Sequence, residues 1–344
     1  MLEGCHTAII TPFDGAGVDY DGLDALVAFQ IQNGIDGVLA AGTTGESPVL
    51  TWNEHNRVIE AVAASTRGKC HCIAGTGSNN TSESLAATEH AVKAGAAAVL
   101  LVDPYYNGPS SLEIRREYVA PVAKAFPEVQ VIPYVIPGRT GAQLLPQDLA
   151  LLSQSYSNVR SVKEATGDLD NMKRTREFCG PDYTILSGDD GMTFAMMTDP
   201  DIMAAGVVSV ASNIAPGAVV RMVGLLREGR PDEARLLLST LEPLFGLVTV
   251  KTMEKTPYGD VVCRARNPLA VKALMTILGM PSGGCRRPLG KMTRNGIEVV
   301  LGAARTVQSA TPEIFEPVAK FFGVDIAERL ENPAIWENLI YQDY

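Results

Sequence analysis

Five short motifs carry side chains able to do covalent or proton-transfer chemistry, and each sits at or just after a run of apolar, β-branched residues. They are Gly42-Thr43-Thr44-Gly45-Glu46-Ser47, Pro104-Tyr105-Tyr106-Asn107, Tyr134 with Pro137-Gly138-Arg139-Thr140-Gly141, Lys163-Glu164-Ala165-Thr166-Gly167, and Ser187-Gly188-Asp189-Asp190. Among ten lysines, Lys163 alone lies inside an apolar strand-like segment near its end. The two-residue period of a strand places it on one face with Val159 and Ser161. Burial disfavours an ammonium, so its pKa is expected to fall and leave a neutral amine near neutral pH. Imine formation with a carbonyl compound needs such an amine. The competing reading is a structural ion pair with Glu164, which is awkward because successive strand residues face opposite ways.

Tyr134 lies on the preceding segment and can point inward beside Lys163. Its phenol can pass protons to and from a bound carbonyl compound, or it is a core tyrosine with a satisfied hydroxyl. Thr43 and Thr44, between glycines, suit a turn that offers donors to a carboxylate or a hydroxyl relay, or an ordinary turn. Arg139, in a loop bounded by Pro137 and Gly141, is a carboxylate clamp or a solvated surface arginine. His6, His55, His71 and His90 all avoid the segment ends, which disfavours a metal-dependent aldolase or a zinc hydrolase. Cys70 and Cys72 flank His71 as alternate strand residues would, with no second ligand pair nearby, so no metal is expected. Asp189 and Asp190 would repel phosphate, so a small carboxylate or keto acid is favoured over a sugar phosphate.

Something must hold these motifs together. Apolar runs at 7–13, 37–42, 70–75, 97–104, 129–136, 159–165, 183–188 and 206–211 alternate with helical segments. Thr51 with Glu54 and Ser110 with Glu113 form capping-box patterns, Asn80 with Glu83 a weaker one, and Gly95 suits a helix C-terminus. Eight such units fit an α/β fold, a parallel (β/α)8 TIM barrel, whose chemistry gathers at the C-terminal ends of the strands. The structural rival is an open doubly wound sheet, but no GxGxxG follows the first strand. Residues 1–229 are read as the catalytic barrel and 230–344 as a C-terminal helical region with an extended tail. Helices are expected over 231–247 and 268–278, and 249–266 has weaker periodicity.

Composition narrows the class. The chain has 344 residues, 46% of them hydrophobic, enough for a sizeable core. A net charge of −10 argues against nucleic acid and against an anionic membrane surface. Residues 1–7 show no signal-peptide pattern and no apolar run suits a membrane span. Six cysteines without a secretion signal read as reduced thiols, so a cytoplasmic location is expected.

Taken in order, these motifs resemble the dihydrodipicolinate synthases, within the N-acetylneuraminate lyase superfamily of pyruvate-dependent class I aldolases. Ala74-Gly-Thr-Gly77 with Asn79, and Gly206-Val-Val-Ser-Val210, add to the match, which covers about residues 4–305. The resemblance implies that Lys163 forms an imine with pyruvate. It gives Tyr134 a proton relay helped by Thr44 and by Tyr106, which would reach into a neighbouring subunit's site. Thr43 and Thr44, with Gly188 and Val208 nearby, would hold pyruvate, and Arg139 would clamp the carboxylate of aspartate 4-semialdehyde. No cofactor beyond the covalent imine and no metal is implied. A homodimer or a homotetramer, as a dimer of dimers, is expected.

The same resemblance suggests lysine feedback at Ser47, Pro48, Trp52, His55, Asn79, Glu83 and Tyr105. The family's strand 5 usually reads Tyr-Asn-Val-Pro-Ser-Arg-Thr-Gly, whereas Val135 and Gly138 replace the Asn and Ser here. That departure keeps two alternatives in play. One is another pyruvate aldolase or dehydratase acting on a sugar acid or hydroxy keto acid. The other is a catalytically silent, ligand-sensing barrel.

Overall fold

A computed structural model describes residues 2–344. Eight parallel strands form a closed barrel in chain order: β1 (Gly4–Ala8), β2 (Gly37–Ala40), β3 (His71–Gly75), β4 (Ala98–Val102), β5 (Gln130–Val135), β6 (Ser161–Glu164), β7 (Thr184–Ser187) and β8 (Gly206–Ser209). Each pairs with the next, and β8 closes on β1 with Cys5 opposite Val207. The barrel expectation therefore holds. The first strand ends earlier than expected, at Ala8. Past it the Ile10 amide donates to Asn213 Oδ1 at 3.0 Å, and Pro12 has no amide to continue a ladder. Phe13 then pairs with Val18 in a short antiparallel turn.

Strands buried on both faces need two apolar sets. Ala8, Leu39, Ile73, Leu100, Ile132, Tyr134, Leu186 and Val208 fill the barrel interior. Val38, Val99, Val131, Val162 and Val207 face the surrounding helices. Val159 joins the outer set, so it does not share the face of Lys163 as expected; it precedes the regular pleat that begins at Ser161.

Helix starts follow their caps. In α1 (Tyr20–Gln32) the Asp19 side chain accepts from the Gly22 amide. Thr51 and Glu54 close a full capping box on α2 (Trp52–Thr66), and Ser110 with Glu113 does the same before the next barrel helix. Asn80 caps α3 (Thr81–Ala94) through the Ser82 amide, while Glu83 instead accepts from Ser78 Oγ at 2.6 Å. Gly95 ends that helix at φ 96°, where only glycine is unstrained.

The region 230–344 is mostly helical, as expected, but not throughout. Helices Pro231–Phe245, Leu269–Ile277 and Arg294–Ala310 form, but between the first two an antiparallel hairpin runs from β9 (Thr249–Thr256) to β10 (Gly259–Arg266). Its signal was a Thr256-Pro257-Tyr258-Gly259 turn between β-branched, alternating segments. The hydrophobic core runs without a break from the barrel helices into this region, through Leu244, Val250, Leu274 and Leu301.

One buried ion pair ties the region to the barrel mouth. Lys272 is fully buried, and its Nζ donates to Glu46 Oε1 at 2.7 Å and to the Thr11 carbonyl at 2.8 Å. Nζ also lies 4.2 Å from the Phe13 ring centroid, and Glu46 Oε2 accepts from the Arg286 amide at 2.9 Å. Glu46 itself holds φ 57°, a left-handed backbone. Burial alone thus fails to single out Lys163; of the two buried lysines, Lys272 is paired with a carboxylate and Lys163 is not. Removing one partner of such a pair strands the other charge. Lys272→Ala should lower unfolding stability by about 3–5 kcal/mol in urea titrations, and a loss below about 1 kcal/mol would show that the pair ties nothing together.

Candidate active site

Strands β5 and β6 place Tyr134 and Lys163 opposite one another in register. The Lys163 Nζ lies 4.1 Å from the centroid of the Tyr134 ring. Lys163 is 5% exposed. Burial is the main cause that lowers its pKa, to about 7; the Asp190 charge opposes the fall and Arg139 adds to it. Glu164 is turned to the other face, where its Oε1 accepts from the Thr166 amide at 2.7 Å and its Oε2 from Asn171 Nδ2 at 3.1 Å. The competing ion-pair reading of Lys163 therefore fails on geometry. The Tyr134 phenol is pushed up to about 12, chiefly by burial, so it stays protonated and able to donate.

Gly188 has to be small. A Cβ there would stand 2.8 Å from Ala165 Cβ and 3.1 Å from Lys163 Cε, pressing on the arm that carries the amine. Asp190 is a fastening carboxylate: Oδ2 accepts from the Val210 and Ala211 amides at 2.9 and 3.0 Å, and Ser209 Oγ donates to Oδ1 at 2.5 Å. It thereby joins the exits of β7 and β8 beneath the cavity.

That cavity, of about 170 Å³, is lined by Lys163, Tyr134, Thr43, Thr44, Gly188 and Arg139, with Asp189 and the C-terminal residues Arg266 and Asn267. The two threonine hydroxyls face different partners. Thr43 reaches Tyr134, because its hydroxyl interacts with the phenol. The Thr44 hydroxyl accepts from Asn267 Nδ2 at 2.9 Å and is buried. Thr43 is therefore the threonine beside the phenol, while the Thr44 hydroxyl is engaged by Asn267. Val208 packs in the barrel interior, and Val210, just past the end of β8, lines the cavity. Tyr106 points away, 92% exposed, on a backbone with φ 77°. It is not part of this chain's own cavity.

Arg139 is half-buried, and its Nη2 donates to the Asn267 carbonyl at 3.3 Å. Of the changed strand-5 positions, Val135 belongs to the outer core and touches nothing in the site, whereas Gly138 lines its mouth. Asn267 and Arg266 were missed in the sequence. The Asn-Pro step at 267–268 is a turn signal, but nothing local indicates that it returns to the rim of a barrel.

Ser47, Pro48 and Tyr105 line a second cavity of about 250 Å³ that shares Thr43, Tyr134 and Arg139 with the first. Trp52 and His55 stand on α2 with ring centroids 5.0 Å apart. Asn79 and Glu83 flank the start of α3. These four lie outside the lining of the second cavity, although the Glu83 charge reaches Tyr105 and adds to the rise of its pKa.

Comparison with known proteins agrees with the barrel fold. The model of the dihydrodipicolinate synthetase family matches residues 1–304. A 4-hydroxy-tetrahydrodipicolinate synthase of Methanococcus maripaludis is 39% identical over 294 residues, covering 86% of this chain and 94% of that protein. The 4-hydroxy-tetrahydrodipicolinate synthase structure from Methylacidiphilum fumariolicum SolV superposes with a TM-score of 0.82 at 33% identity, covering 94% of this chain and all of that one. A dihydrodipicolinate synthase from Cyanidioschyzon merolae with lysine bound gives 0.80 at 33% identity, over 89% of this chain and 98% of that chain.

The buried amine makes a measurable demand. Unfolded, Lys163 keeps its proton up to the ordinary 10.5, whereas folded it yields the proton near 7. Between those values the unfolded chain binds more protons, so stability rises with pH, and below about 7 the whole penalty is present. Lys163→Met should therefore be more stable than the parent at pH 6, by up to about 5 kcal/mol, with the gap closing toward pH 10. A gap that does not change with pH in chemical denaturation would show that the amine is not held neutral.

Proposed function

The chain belongs to the dihydrodipicolinate synthetase family, and we propose that it condenses pyruvate with L-aspartate 4-semialdehyde to give 4-hydroxy-tetrahydrodipicolinate, in lysine and diaminopimelate biosynthesis. The observation that carries this reading is Lys163: an inward amine without a carboxylate partner, beside a protonated phenol. The neutral Nζ attacks C2 of pyruvate, and loss of water gives an imine. A proton leaves the pyruvate methyl, and the resulting enamine attacks the aldehyde carbon. The α-amine of the semialdehyde then closes on C2 and displaces Lys163, returning the free enzyme. One water is released for each product formed.

Tyr134 passes protons in the imine steps, and Thr43 is the hydroxyl that supports it. Arg139 at the mouth suits the carboxylate of the second substrate. The scheme uses no metal and no nucleotide. It operates in the cytoplasm. The exposed Tyr106, held at φ 77°, suits donation to a second copy, so a homodimer, or a dimer of dimers, is the working assembly.

Lysine as a regulator belongs to the same reading. Glu83 suits an ammonium and Trp52 the aliphatic stem, beside the cavity lined by Ser47, Pro48 and Tyr105. His55 and Asn79 complete that surround.

Borohydride reduction in the presence of pyruvate should add one pyruvyl group at Lys163, read by peptide mass spectrometry, and Lys163→Ala should lose turnover by at least about a thousandfold. An unmodified Lys163 would remove the imine mechanism. Coupled turnover should favour aspartate 4-semialdehyde over a panel of sugar-acid aldehydes, and the reverse order would replace the second substrate. Calorimetric titration with L-lysine should give heat and a fall in rate, both weakened at least tenfold by Glu83→Gln. No heat and no change in rate would remove the feedback.

A further inference from the structure

The hairpin β9–β10 belongs to none of the eight barrel units, yet its two ends shape the catalytic cavity. Val248 and Thr249 enter the lining where β9 begins, and Arg266 and Asn267 enter it where β10 ends. The hairpin therefore sets one wall of the site. The residue it delivers to the rim is a second arginine. Arg266 Nη2 donates to the Gly138 carbonyl at 3.3 Å, and Arg139 Nη2 donates to the Asn267 carbonyl at 3.3 Å. Each guanidinium thus reaches across to the backbone beside the other. These are long bonds to neutral acceptors. Among the described residues, the ion pairs of the chain involve neither arginine.

Two cations held together without an intervening carboxylate repel each other. Burial lowers the pKa of Arg139, and the charge of Arg266 lowers it further. A bound anion would relieve that repulsion and would find the remaining N–H donors of two planar forks. Asp189 lines the same cavity and offers an ammonium a partner.

We propose that Arg266, delivered by the hairpin, joins Arg139 in binding the carboxylate of the aldehyde substrate at the mouth of the cavity. This rests on the reading of that substrate as a carboxylated aldehyde. Pyruvate is held deeper, at Lys163, so Arg266 contributes to the second substrate and not to the first. An amino-acid aldehyde is satisfied at both ends, its carboxylate by the two arginines and its ammonium by Asp189.

The test compares the full-length parent with Arg266→Gln and Arg266→Lys. Succinate semialdehyde is the probe, because it carries the carboxylate and aldehyde without the amine. Its calorimetric Kd should rise about tenfold in Arg266→Gln and recover in part in Arg266→Lys. In steady-state turnover the KM for aspartate 4-semialdehyde should rise by a similar factor, while the KM for pyruvate and the yield of borohydride trapping stay unchanged. Equal probe affinity in the parent and Arg266→Gln overturns the proposal. So does an equal rise in both KM values with no recovery in Arg266→Lys, which would mean that Arg266 only braces the Gly138 loop. No turnover of aspartate 4-semialdehyde by the parent, with probe binding still dependent on Arg266, would instead overturn the parent reading and leave the arginine pair standing.

Discussion

A lysine amine kept out of water without a carboxylate to neutralise it is the constraint around which this molecule is arranged. The chemistry proposed for it depends on desolvation, and desolvation is costly for an ammonium. The closed barrel provides the dry interior, with Tyr134 on the neighbouring strand supplying a ring face at 4.1 Å in place of a counter-ion. Gly188 leaves room for the side chain to lie flat. The carboxylates nearby are diverted. Glu164 is turned outward onto Asn171 and the Thr166 amide, and Asp190 is occupied by two backbone amides and Ser209. A carboxylate free to pair with Lys163 would hold its proton and block the proposed imine formation.

The second buried lysine shows the opposite arrangement. Lys272 meets Glu46 directly, with the Thr11 carbonyl as a further acceptor, and the pair fastens the C-terminal helix Leu269–Ile277 to the exit of β2. Two side chains of the same type thus serve different ends according to what faces them. The fastening has a consequence for the site. The same helix is preceded by Asn267, which donates to Thr44, and by Arg266 at the rim. The region past residue 230 is therefore part of the mouth of the barrel, and the continuous core from Leu244 to Leu301 makes it one body with the barrel helices.

Much of this was legible in the chain. Alternation of apolar runs with capped helices pointed to eight strand–helix units, and strand periodicity alone put Lys163 and Tyr134 at neighbouring strand exits. Caps are local, so Thr51 with Glu54 behaved as their spacing required. The misreadings were of long-range origin. β1 stops at Ala8 because a side chain 203 positions away takes the Ile10 amide. The choice between Thr43 and Thr44 turns on which hydroxyl Asn267 occupies, and that residue lies 223 positions from Thr44. The hairpin was obscured because a half-exposed two-stranded ribbon shows only weak alternation, although its Pro-Tyr-Gly turn was present.

By itself, then, the sequence determined the eight barrel units and marked Lys163 as the candidate amine, since periodicity and caps act over a few residues. Only the tertiary structure decided which charges meet. The Lys163 amine is held well below its usual pKa and Lys272 is paired because of what the fold packs around each, and Arg266 stands beside Arg139 because a distant hairpin, at residues 249–266, folds back to the barrel mouth. Electrostatic energy depends on distance through space and on what excludes water, and neither can be read from separation along the chain.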